Sequence, residues 1–75
     1  MRISLDRMKY NQEGILLGIN NEISQHLAGM GVRAGKKIKM ITREPLKGPV
    51  VILVDHASIS LGMGIADKLT VEVDE

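Results

Sequence analysis

Residues 20–43, NNEISQHLAGMGVRAGKKIKMITR, hold a helix, a stop and a strand in succession, and that succession decides the fold. Asn20-Asn21 opens the helix, because an Asn side chain accepts one of the backbone N–H groups that a first turn leaves orphaned. Glu22 in that turn suits the positive end of the helix dipole. Ile23, Leu27 and Met30 recur at i, i+4 and i+7 and form one apolar stripe. Gly31 supplies a left-handed residue that ends the helix, and Val32 is then placed to fold back on Leu27. Gly29 in the last turn costs ~1 kcal/mol of helix propensity. Arg33-Ala34-Gly35 turns the chain. Lys36–Arg43 follows as a strand, with Ile38 and Met40 inward and Lys37, Lys39 and Arg43 outward.

Downstream, Glu44-Pro45-Leu46-Lys47-Gly48-Pro49 is a loop, since two prolines and a glycine punctuate it. Val50–Val54 is β-branched and reads as a strand. Asp55-His56-Ala57 turns tightly into a strand over Ser58–Leu61. Gly62-Met63-Gly64 breaks that strand, and Ile65–Asp67 suits a short helical turn. Leu69–Val73 alternates and closes the sheet. Upstream, Leu5–Met8 suits a single helical turn and Asn11–Gly14 a turn. Gly14–Ile19 is a strand whose Ile15, Leu17 and Ile19 share one face. The expected architecture is mainly β: a small SH3-like barrel of five short strands with one short inserted helix, since closure removes exposed edges.

Seventy-five residues make one domain, 1–75, with a thin stability margin. The core must be aliphatic, for Tyr10 is the sole aromatic residue. A formal charge of +1 provides no global attraction to nucleic acid or an anionic membrane. Cysteine is absent, which excludes disulfides and thiolate metal sites and accords with a cytoplasmic location. The start has no apolar segment of a signal peptide, and no apolar run approaches the ~20 residues of a membrane span.

No catalytic constellation stands out, and the expectation is a binding protein rather than an enzyme. There is no nucleophile elbow, P-loop or zinc motif. Gly62-Met63-Gly64-Ile65-Ala66 lacks the third glycine and the lysine of a phosphate turn and reads as plain punctuation. Glu22 and His26 stand at i, i+4 on one helix face, and His56 lies in a turn. These are the only candidates for a divalent metal such as iron or zinc; a solvated Glu–His pair and a polar turn residue explain them as well. No cofactor is required. The basic run Arg33, Lys36, Lys37, Lys39, Arg43 raises nucleic-acid binding, yet Tyr10 alone makes no stacking platform. The same shortage leaves no aromatic groove for a polyproline ligand.

Leu27-Ala28-Gly29-Met30-Gly31-Val32-Arg33-Ala34-Gly35 resembles the helix end of the ferrous iron transport protein A (FeoA) family. Pro45–Pro49 resembles that family's Pro-Leu-Gly-rich loop, and Ser58–Leu61, Ala66 and Leu69–Val71 its closing strands. His26, Gly62 and Ile65 stand where many relatives carry arginine, arginine and an acidic residue. The resemblance implies a cytoplasmic, SH3-like accessory protein of ferrous iron uptake, with no membrane insertion of its own. Its expected partner is the cytosolic part of a FeoB-type membrane transporter with a GTPase domain, whose activity or assembly it modulates. The expected contact residues are Leu46, Met30, Arg33 and Lys47, on a monomer or weak homodimer. The alternatives are a metal-responsive module like the C-terminal domain of iron-dependent repressors, or a small-barrel nucleic-acid-binding protein.

Overall fold

The run Val50-Val51-Ile52-Leu53-Val54 forms β4, and its side chains alternate strictly between buried and half-buried. That alternation is what a β-branched segment does when one face covers a core. A computed structural model describes residues 1–19, 21–43 and 49–74, apart from the side chains of Asn21, Glu22, Arg43 and Met63. The expected cap Asn20 and the loop residues Pro45, Leu46 and Lys47 lie outside the described residues.

The strands are β1 (Arg2–Ser4), β2 (Glu13–Gly18), β3 (Lys37–Arg43), β4 (Val50–Val54), β5 (Ala57–Leu61) and β6 (Thr70–Val73). A 3₁₀ turn over Leu5–Arg7 follows β1. Helix α1 (Asn21–Ala28) joins β2 to β3, and the short α2 (Met63–Ala66) joins β5 to β6. The strands form one antiparallel sheet in the order β1-β6-β2-β3-β4-β5. It coils round a single core as an SH3-like small barrel, for every strand contributes to the same apolar cluster.

Six strands stand where five were expected. The extra one is β1, which pairs Ile3 with Val71 and Arg2 with Glu72. Among the described residues the sheet order therefore ends on two strands, β1 and β5, instead of closing without edges.

The face of β2 is a second correction. Gly14 and Leu16 point inward, while Ile15 is 38% exposed and Leu17 is half-buried. The inward place of Gly14 follows from how closely β6 passes: a Cβ there would lie 2.5 Å from a Val71 methyl carbon and 2.8 Å from the Glu72 carbonyl oxygen. The pairing with β6 shifts between Leu16 and Gly18, and beyond that irregularity Ile19 packs against the core.

Aliphatic side chains fill the interior, as expected. Leu16, Leu27, Ile38, Met40, Ile52 and Val71 are almost fully buried, and each such burial contributes about 1.5–3 kcal/mol. Met8 and Met40, unbranched and flexible, are fully buried among them.

Candidate docking surface

The helix end builds the most distinctive surface feature. Val32 N–H donates to the Leu27 carbonyl at 2.9 Å, and Gly31 N–H donates to the Ala28 carbonyl at 3.0 Å. Gly31 has φ +87°, so the pair of bonds is the Schellman motif expected there. The reversal carries the chain back across the helix. It is then fixed to β2, because Gly35 N–H donates to the Leu16 carbonyl at 2.6 Å and Leu16 N–H to the Lys36 carbonyl at 2.9 Å.

Between α1 and this returning segment lies a cleft of about 250 Å³. Val32, fully buried, forms its floor. Ile19, Ser24, Gln25, Ala28, Arg33 and Ala34 complete its lining. Its lining is mostly apolar, with one exposed guanidinium beside it. Such a hollow suits a single apolar side chain followed by an acidic group.

Met30 is not on the buried stripe, which corrects its expected place in line with Ile23 and Leu27. It is 39% exposed, while Leu27 is fully buried. The helix ends at Ala28, so Met30 falls in the reversal, where the periodicity that would turn it inward has lapsed. Met30 and Arg33 thus flank the same helix end. Leu46 and Lys47, the other expected contact residues, lie outside the described residues.

His26 is exposed in the last turn of α1, and His56 is exposed in the β4–β5 turn. The side chain of Glu22 lies outside the described residues. Among the described residues, no three His, Asp or Glu groups come together where they could hold a metal.

The outer face of β3 carries Lys37 and Lys39, as expected. Both charges meet there, for Glu13 pairs with Lys39 in register and its carboxylate lies 3.6 Å from Lys37 Nζ. Lys36 and Asp55 form a further ion pair. Glu13, Lys37, Lys39, Asp55 and His56 line a shallow hollow of about 210 Å³ in which both signs of charge meet. Arg43 lies past a register shift between Met40 and Thr42, and its side chain lies outside the described residues.

Reading by residue type missed the cleft, because it is made by what is small. Ala28 and Ala34 leave room that larger side chains would fill. The one signal available was Ser24 and Ala28, small residues at i, i+4 on α1 beside the Ile23–Leu27 stripe.

The FeoA domain family model matches residues 3–73. A candidate Fe(2+) transport protein A from Methanocaldococcus jannaschii is 40% identical over 48 residues, which are 64% of this chain and 56% of that protein. The match thus spans just over half the length of that curated relative. The crystal structure of an iron uptake regulatory protein (FeoA) superposes with a TM-score of 0.85 at 29% identity, covering 96% of each chain. T. acidophilum IdeR superposes with a TM-score of 0.83 at 28% identity, over 97% of this chain and 34% of that one. From β1 to β6, then, the chain belongs to the FeoA domain family.

Proposed function

We propose that this chain is an accessory module of ferrous iron uptake, which binds the cytosolic part of a FeoB-type membrane transporter and modulates its activity or assembly. The observation that carries this reading is the family match over residues 3–73, supported by relatives whose names speak of Fe(2+) transport and iron uptake. Among the described residues no helix is long and apolar enough to cross a membrane, so transport itself would fall to a partner rather than to a helix of this chain.

The cleft beside α1 is the contact we assign to that partner. An apolar side chain of the transporter enters between Ala28 and Ala34, and a carboxylate next to it meets Arg33. Buried apolar anchors with a charged rim carry most of the energy in interfaces of this kind. The test is calorimetric titration of the transporter's cytosolic domain into this protein. Wild-type binding is expected, with Ala28→Arg weakening it at least about tenfold, or ~1.4 kcal/mol. Leu46→Asp in the same assay reads the part played by the Pro45–Pro49 loop. Absence of wild-type binding overturns the reading.

A further inference from the structure

The two ends of the sheet are unlike. β1 is three residues long and carries Arg2, a short and charged edge of the kind that resists pairing. β5, Ala57-Ser58-Ile59-Ser60-Leu61, has no charge and no proline, and its register with β4 runs without a bulge. Among the described residues it thus lacks the charge, proline or bulge that commonly blunts an edge.

We propose that the β5 edge is a self-association site, at which Ser58 and Ser60 pair with Ser60 and Ser58 of a second copy of this chain across a twofold axis through Ile59.

The ladder dictates which groups are on offer. Val54 and Ala57 flank a two-residue turn, so they are a hydrogen-bonded pair of the antiparallel hairpin. Hydrogen-bonded pairs then alternate, and Ile52↔Ile59 and Val50↔Leu61 are the next two. The N–H and C=O groups of Ser58 and Ser60 consequently point away from β4, toward the open edge. Neither residue has a backbone partner there among the described residues.

A twofold axis through Ile59 sets Ser58 opposite Ser60 of the second copy, and both residues of that pair carry outward groups. The spacing is therefore self-complementary, as an isologous contact requires. The serine side chains are exposed on the solvent face, where opposed hydroxyls can bond across the seam. Ile59 and Leu61 stay turned into their own core. No like charges within β5 meet at the seam, because the strand has none. The same arithmetic does not favour β1 as the partner strand, for its three residues bring Arg2 to the join.

The test combines sedimentation over micromolar to millimolar concentration with amide hydrogen exchange on the intact chain. Wild type is expected to dimerise as concentration rises, and the Ser58 and Ser60 amides to gain protection in step. The Ala57, Ile59 and Leu61 amides face β4 and serve as the internal reference, protected throughout. Ser60→Pro removes an outward N–H and no ladder bond to β4, so it should abolish the dimer. Should that variant not fold, Ser60→Lys decides, since its exposed position accepts lysine and places like charges at the seam. A chain that stays monomeric at millimolar concentration overturns the proposal. So does a dimer whose Ser58 and Ser60 amides exchange freely, or a dimer that survives Ser60→Lys. Protection that appears only when the transporter domain is added also overturns it, and hands the edge to that partner.

Discussion

The backbone N–H of Val32 reaches the carbonyl oxygen of Leu27 at 2.9 Å while both side chains lie fully buried. One bond thus closes the helix and joins its end to the core. It depends on Gly31, whose φ of +87° is costly for any residue with a Cβ.

Gly31→Ala is expected to destabilise the fold by about 1 kcal/mol, through backbone strain alone. A Cβ at that position would meet nothing within 4 Å, so no clash adds to the cost. Urea denaturation should show a lower midpoint with unchanged slope. Gly31→Asn should lose less, as Asn tolerates the left-handed region better.

Gly14→Ala should cost more, about 1–3 kcal/mol, from overpacking. Its Cβ would lie 2.5 Å from the Val71 methyl carbon and 2.8 Å from both the Glu72 carbonyl oxygen and a Val73 methyl carbon. The carbonyl is backbone and cannot swing aside, so β2 and β6 would have to part. The same denaturation series ranks the two glycines, and Gly31→Ala proving the costlier would contradict this account.

The contrast between these glycines marks where the sequence could be read. The helix stop was legible because its signals are local: an apolar stripe, a glycine, and Val32 beyond it. The strands β3 and β4 were legible for the same reason, since Ile38, Met40, Ile52 and Val54 alternate. The inward face of β2 was not, because Ile15, Leu16 and Leu17 are apolar at both parities. What selects Leu16 is the closeness of Val71 and Val73 to Gly14, a relation between residues far apart in the chain. β1 was invisible likewise, as its three residues become a strand only beside β6. Of the residues around the candidate cleft, Arg33 and the helix end were singled out from the sequence. The cleft was not, for a hollow made by Ala28 and Ala34 has no side chain to announce it.

The β4–β5 turn holds Asp55 at φ +49° and His56 at φ +71°, the φ signs of a type I′ hairpin without its usual glycine. His56→Gly should therefore stabilise the protein, by about 0.5–1 kcal/mol. The exposed Lys36–Asp55 ion pair stays intact in that variant, and its contribution is small in any case. A raised thermal midpoint is the expected result. A lowered one would mean that the His56 side chain makes a contact of greater worth than the relief of strain.

Glu72 ties β6 to β1, and its acidity follows from that. Its carboxylate accepts a hydrogen bond from the Met1 ammonium at 2.6 Å, and Arg2 Nε lies 3.5 Å away. The ammonium hydrogen bond lowers the carboxyl pKa below its ordinary 4.5 most strongly, with the ammonium charge and Arg2 adding to it and partial desolvation opposing it. A carboxyl whose folded pKa lies below its unfolded value binds fewer protons when folded, so the stability it contributes is complete at neutral pH. That contribution fades as pH falls from about 4.5 and is gone once the pH passes below the lowered folded value. Glu72→Gln should accordingly be less stable than wild type at pH 7, with the gap narrowing as the pH falls below about 4.5. Because the pair is half exposed, salt should narrow the gap at pH 7 as well. Acetylating the Met1 amine should give most of the effect of Glu72→Gln with the carboxylate left in place. Denaturation midpoints across that pH range check this, and a gap that stays constant as the pH falls below about 4.5 would assign the loss to packing between β1 and β6 rather than to charge.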